Sequence, residues 1–223
     1  MSEPRHDWIA GATGLVGRAL CTELPTGLAL MRKPTSGLPV STALVDYGRP
    51  ESFQALPAPG RVFIALGTTM AQAGSREAFR AADFDAVVSV ARAAREAGAT
   101  HCGLVSAMGA SARSAVFYNQ VKGEAEDALI ALGFERLVIA RPSLLDGRRE
   151  ALDQPHRRAE AWTLRLVRPI AGLIPRHWRP IAPDRIARAL RLALAQAGPA
   201  VEVLESGAMQ TGARDENHLP GRR

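Results

Sequence analysis

The sequence predicts an α/β protein built on a single parallel β-sheet, and three observations lead there. Short apolar runs alternate with helical stretches along most of the 223 residues, the pattern of βα units feeding a parallel sheet. A glycine-rich turn, Gly11-Ala12-Thr13-Gly14-Leu15-Val16-Gly17, separates the first apolar run from the first helix. No apolar stretch reaches the roughly 18 residues that a membrane span needs. The length suits one sizeable core rather than two full domains.

The elements follow in order. Trp8 to Ala10 ends the first strand, and Leu15 to Leu24 forms the first helix, closed by Pro25. Leu28 to Met31 is the second strand, ending in Arg32-Lys33-Pro34, and Ala43 to Val45, before Asp46, is the third. Arg61 to Leu66 is the fourth, running into Gly67-Thr68-Thr69. A helix over Ser75 to Ala97 has Phe84, Val87, Val88 and Ala91 at helical spacing and stops at Gly98. His101 to Val105 is strand five, Ser114 to Leu132 a helix stopped by Gly133, and Leu137 to Ala140 strand six. Past Asp146 prolines and arginines dominate, with one amphipathic piece over Ala159 to Ile170. Ile186 to Ala197 is the final helix and Val201 to Leu204 the final strand. One domain over 1–206 results, followed by a polar, flexible tail over 207–223.

Composition narrows the function. Cys21 and Cys102 are far apart and form no CxxC pair, so they read as reduced core residues of a cytoplasmic protein. Residues 1–7 are polar, unlike a secretory signal. Five histidines show no metal-binding spacing, and no metal is expected. The net charge of +6 is uneven: Arg148 to Arg191 holds eleven arginines against four acids. A solvated helical face explains that segment, and its sparse aromatics give no base-stacking platform. Nucleic acid is therefore not an expected partner.

The glycine turn suits a dinucleotide. A pyrophosphate would lie against backbone N–H groups at a helix N-terminus, where the helix dipole favours anions. Gly11 permits the tight turn, Gly14 the close approach and Gly17 the packing of helix on strand; Thr13, Leu15 and Val16 complete the cradle. The end of strand two decides the ribose chemistry. Arg32 and Lys33 stand there with no adjacent acid, and a guanidinium can bind a 2′-phosphate bidentately. The cofactor expected is NADP(H), the plain alternative being two solvated surface cations.

Tyr118-Asn119-Gln120-Val121-Lys122 lies on the helix after strand five. Residues four apart share a helix face. A phenol ionising near pH 10 is a weak acid at neutrality, and a lysine cation beside it stabilises the phenolate. Such a tyrosine can protonate a carbonyl oxygen as hydride is delivered by a nicotinamide, while the lysine also holds ribose hydroxyls.

These residues together resemble the short-chain dehydrogenase/reductase superfamily, and most its atypical branch around the Tat-interacting-protein oxidoreductase. The likeness runs from the glycine turn through Leu66-Gly67-Thr68-Thr69 and Tyr118-Asn119-Gln120-Val121-Lys122-Gly123-Glu124 to Arg141-Pro142, over residues 7–206. It implies a single Rossmann-type, doubly wound parallel sheet of about seven strands with helices on both faces. It also implies NADPH binding, with Tyr118 and Lys122 at the nicotinamide. Asp46, Leu66, Gly67 and Thr68 would then line the cofactor, and Pro142, Ser143, Leu144 and Leu145 its nicotinamide side. The sequence departs from the superfamily at two places. Ser106-Ala107 carries a serine on only one of the two positions where the carbonyl-orienting serine falls; Ser106 is the candidate, with Ser111 and Ser114 as substitutes. Asp83 stands where many relatives have an asparagine that supports a proton relay; a carboxylate there can carry a relay or cap a helix turn, and the structural role is the one expected.

Ligands bind beyond the carboxyl ends of such strands, so residues 146–183, with Trp162, Trp178 and Pro175, are expected to form a small substrate lid. The chain is too short for the large C-terminal domain of sugar-nucleotide epimerases. Two functions compete. One is an NADPH-dependent carbonyl reductase acting on a small molecule through Tyr118, Lys122 and Ser106, as monomer or homodimer. The other is a non-catalytic NADPH sensor with a protein partner.

Overall fold

A computed structural model describes residues 6–146 and 179–211. Seven strands form one sheet in the order β3-β2-β1-β4-β5-β6-β7, every pair parallel. They are β1 (His6–Ala10), β2 (Leu28–Met31), β3 (Ser41–Leu44), β4 (Pro59–Ile64), β5 (His101–Val105), β6 (Arg136–Arg141) and β7 (Val201–Glu205). The helices are α1 (Leu15–Glu23), a short α2 (Met70–Ala73), α3 (Arg76–Arg80), α4 (Ala86–Glu96), α5 (Phe117–Ala131), α6 (Pro183–Ala195) and α7 (Ser206–Thr211).

The sheet is covered on both faces, which is why its central strands are apolar throughout rather than alternating. Neighbouring strand residues point to opposite faces. Trp8, Val62, Leu104 and Ile139 enter one core with Val87 and Ala91 of α4 and Leu129 of α5. Ile9, Phe63 and Val138 enter the other with Leu20 of α1 and Ile186 and Leu190 of α6. The doubly wound sheet expected from the sequence is thus the one observed. The strand order reverses between β1 and β4, and a crevice opens there at the carboxyl ends of the strands.

Several boundaries differ from expectation. β3 begins at Ser41, two residues before the apolar Ala43, because it is an edge strand placed by pairing with β2 (Leu28 opposite Ser41) rather than by burial; Leu44 is left exposed. The helix expected over 75–97 is broken into α3 and α4 by a π-helical turn, Ala81–Asp85. α5 starts at Phe117, since Ser114 Oγ accepts the Val116 N–H and holds a turn before it. Residues 206–211, assigned in part to a flexible tail, form α7. Met209 is buried in the core with α6, and Arg185 donates to the Gln210 carbonyl at 2.8 Å. Most of the expected lid, including the amphipathic piece over 159–170, lies outside the described residues. Its two ends meet in a parallel bridge between Leu145 and Ile181.

Gly17 sets how closely α1 approaches the turn. A Cβ there would stand 2.0 Å from the Gly11 carbonyl oxygen, a backbone atom with no room to yield. Gly17→Ala is expected to cost about 3 kcal/mol of stability; chemical denaturation measures it.

Candidate functional site

The crevice is a cleft of about 880 Å³ running from the β2 end to the β6 end of the sheet. Its floor at one end is the glycine turn. Gly11 takes a positive φ of 87°, and a Cβ on it would lie 2.4 Å from the Ala65 carbonyl oxygen, so the turn packs directly on the chain after β4. Gly14 N–H donates to the Gly11 carbonyl at 3.0 Å and Gly14 caps α1, whose first turn, Leu15 and Val16, faces the cleft.

Of the residues singled out in the sequence, Gly11, Thr13, Gly14, Leu15, Val16, Arg32, Asp46, Leu66, Gly67, Thr68, Ser106, Tyr118, Lys122, Pro142, Ser143 and Leu145 line this one cleft. Gly17, Lys33 and Leu144 do not. Gly17 is buried behind the turn, Lys33 is exposed outside the rim, and Leu144 points to solvent. Of the two cations expected at the β2 end, Arg32 lines the cleft. Asp46 at the same rim accepts the Gly48 N–H at 2.9 Å and pairs with Arg49 at 3.5 Å. Tyr47, not singled out in the sequence, closes this end. Its hydroxyl donates to the Leu30 carbonyl at 2.7 Å, and burial pushes the phenol up to about 12.

At the other end, Tyr118 and Lys122 sit on one face of α5. The Tyr118 ring packs on the buried Phe79 of α3, with centroids 5.3 Å apart. Lys122 Nζ lies 2.8 Å from Asp83 Oδ1, and Asp83 is fully buried. The approach is too oblique for a good hydrogen bond, so the pair is held mainly by charge. The other carboxylate oxygen accepts the Thr68 N–H at 2.8 Å. Asp83 is thus no local helix cap: it ties the loop after β4 to α5. The π-helical turn that presents it adds one residue to the helical repeat, a distortion frequent at functional sites.

Ser106 lines the cleft, but its hydroxyl donates to Glu126 Oε1 at 2.5 Å. Glu126 is buried and also receives two bonds from Arg141, at 3.1 and 2.5 Å. A serine has one proton to give, so Ser106 turns only lone pairs toward other partners, and its neighbour at the cleft wall is Ala107. Ser111 and Ser114 lie outside the cleft and cap local turns through Arg113 N–H and Val116 N–H. The anchoring role of Glu126 was not foreseen, although its place four residues past Lys122 continues the same helix face.

Both cysteines are free and buried; burial pushes the Cys21 thiol up to about 11 and that of Cys102 higher. Neither is a nucleophile near neutral pH. Among the described residues no group of His, Cys, Asp or Glu side chains is placed to hold a metal, and no helix is long and apolar enough to cross a membrane.

The glycine turn at the switch of a seven-stranded parallel sheet, with Tyr118 and Lys122 lining the same cleft, defines a Rossmann-type α/β fold with its crevice at the strand ends. Solved structures share this fold. Aldohexose dehydrogenase AldT of Thermoplasma acidophilum superposes with a TM-score of 0.69 at 12% identity, covering 97% of each chain. WbmG of Bordetella bronchiseptica, in complex with NAD and UDP, superposes with 0.64 at 16%, covering 92% of this chain and 74% of the other. No family model matches. Curated relatives are closer. Protein FMP52, mitochondrial, of Eremothecium gossypii is 42% identical over 153 residues, 64% of this chain and 67% of the relative. The Aspergillus fumigatus protein of that name is 36% identical over 181 residues, 74% and 75% of the two chains. The chain belongs to the FMP52 family. Those names overturn the expectation of a cytoplasmic protein: the relatives are named mitochondrial. Free cysteines and a polar N-terminus do not distinguish one reducing compartment from another.

Glu126 joins the ends of β5 and β6 to α5. Glu126→Ala is expected to lower stability by about 2 kcal/mol, because it leaves the buried Ser106 hydroxyl without its acceptor and the half-buried Arg141 guanidinium with Glu205 alone. Glu126→Gln, which keeps an accepting oxygen, should lose less in the same urea denaturation series.

Proposed function

We propose that the chain binds NADP(H) in this cleft and is an oxidoreductase that interconverts a carbonyl and an alcohol on a small molecule. The observation that carries the reading is the continuity of the cleft. One opening holds the glycine turn, the Arg32 guanidinium at the β2 end and the Tyr118–Lys122 face of α5. A volume of about 880 Å³ lies in the range of cofactor-sized pockets.

The residues present fit the dinucleotide. The N-terminus of α1 offers backbone N–H groups and a positive dipole end to a pyrophosphate. Arg32 would take the 2′-phosphate, and Asp46 at the same rim accepts the Gly48 N–H and pairs with Arg49. Gly67, Thr68, Pro142, Ser143 and Leu145 would wall the nicotinamide half. When bound, the cofactor supplies or accepts the hydride. The chain supplies the proton: Tyr118 would donate it to the carbonyl oxygen, and Lys122, its ammonium charge fixed four residues away on the same face, would stabilise the phenolate left behind.

A second reading has one observation in its favour. The Ser106 proton is directed to Glu126 and the adjacent wall residue is Ala107, so the usual second donor to a carbonyl is engaged elsewhere. A protein that binds NADPH and reports its level, without turnover, needs no such donor.

Two measurements separate these readings. Fluorescence titration should show NADPH binding tighter than NADH, and Arg32→Ala should weaken NADPH by roughly 10- to 100-fold while leaving NADH unchanged, the worth of a charge-assisted pair. Equal affinities for the two cofactors would remove the NADP assignment. NADPH consumption over a panel of aldehydes and ketones should fall by about 100-fold or more in Tyr118→Phe, with NADPH affinity preserved. Tight NADPH binding with no turnover on any carbonyl would favour the sensor.

A further inference from the structure

A lysine beside a tyrosine lowers the cost of forming phenolate only to the extent that its charge is felt there. In this protein the charge is matched. Lys122 Nζ is 2.8 Å from Asp83 Oδ1, with the two side chains only 7% and 0% exposed. The carboxylate is itself oriented, because its second oxygen accepts the Thr68 N–H at 2.8 Å. The pair also lies at the cleft rather than behind it. A Cβ on Gly67 would meet Asp83 Oδ1 at 3.2 Å and Lys122 Nζ at 3.3 Å, so the pair sits immediately under the loop after β4.

Other charged groups around this face are already engaged or distant. Glu126, one turn further along α5, is held by Arg141 and Ser106. Arg80 of α3 is paired with Glu124 at 2.5 Å and stacks on Phe84. Arg76 lies over the Phe117 ring. Asp85 lines the cleft from the exposed side of the π-helical turn, and Arg32 stands at the far rim. Among the described residues, Asp83 is the charge in direct contact with Lys122.

We propose that Asp83 is a positioning residue of this site: by pairing with Lys122 it holds the ammonium in place and offsets the field that the lysine exerts on Tyr118, so that carboxylate and ammonium together set where the tyrosine changes protonation. The inference rests on reading Tyr118 and Lys122 as the proton-transfer pair. It differs from a brace in its electrostatic sign. Removing only the negative charge leaves Lys122 uncompensated and favours phenolate; removing only the positive charge disfavours it; removing both cancels.

The chain is well suited to the measurement, since it has two tyrosines, Tyr47 and Tyr118. Burial pushes the Tyr47 phenol up to about 12. Phenolate absorbance of the cofactor-free protein is titrated against pH, and Tyr118→Phe identifies the Tyr118 step by deleting it. Asp83→Asn keeps an oxygen for the Thr68 N–H while losing the charge. Its titration midpoint is expected about one pH unit below the parent, and that of Lys122→Gln about one unit above it. The double variant Asp83→Asn/Lys122→Gln should return close to the parent, a double-mutant cycle with opposed single effects. Circular-dichroism melts establish that each variant is folded. An unchanged or raised midpoint in folded Asp83→Asn overturns the inference. If Asp83→Asn does not fold, the double variant must still titrate below Lys122→Gln, and equality of those two overturns it as well. Turnover does not enter this readout. Activity that survives Tyr118→Phe would end the proton-transfer reading, whereas the titration tests Asp83 alone.

Discussion

The contact between Lys122 and Asp83 joins two parts of the protein that have no covalent reason to stay in register. Lys122 comes from α5, which packs on β5 and β6, whereas Asp83 comes from the turn between α3 and α4 that follows β4. Taking both charges out of water costs several kcal/mol, and their mutual attraction restores that only when the remaining polar atoms are satisfied. Here the Thr68 N–H supplies one such contact, and it fixes the loop after β4 at the same time. The shape of the cleft above Gly67 and Thr68 therefore depends on an ion pair that is worth little as net stability and much as geometry.

A second buried carboxylate repeats the device. Glu126 gathers Ser106 at the end of β5 and Arg141 at the end of β6 onto α5. Tyr118, Lys122 and Glu126 are spaced four apart and form one stripe of the helix. Lys122 is clamped to the turn between α3 and α4, Glu126 to the ends of β5 and β6, and Tyr118 is held by ring packing on Phe79. A parallel sheet places its ligand crevice at loops, the least constrained parts of the chain. Clamping those loops to a helix is what lets them serve as walls.

The sequence was readable wherever burial alone decides structure. β2 and β5 run over the residues their apolar stretches indicated, because a central strand of a parallel sheet is buried on both faces. The edge strand β3 was displaced, because hydrogen bonding to β2 rather than burial places it. The π-helical turn was not legible at all. It is a one-residue fault in the backbone repeat, and apolar spacing over Phe84, Val87, Val88 and Ala91 is too coarse to register it. The same holds for side-chain commitments. Asp83 was visible as a departure from its relatives, but its partner lies 39 positions away in the chain. Ser106 could be counted as a hydroxyl at the strand end, but no periodicity reveals that its proton goes to Glu126.

That last commitment bears on what the cleft can select. On the oxidoreductase reading, a carbonyl oxygen bound near Tyr118 would meet one donor where a serine with a free proton would make two. The difference is about one net hydrogen bond, roughly 1 kcal/mol or a factor of five or so in affinity. Such a site discriminates weakly at the reacting oxygen, because one donor tolerates many carbonyl geometries. Discrimination between substrates then falls to groups farther from the chemistry. Binding energy from remote parts of a substrate can be used to orient its reacting centre. The loss of a donor at Ser106 is therefore compatible with catalysis, provided the substrate is large enough to be held elsewhere.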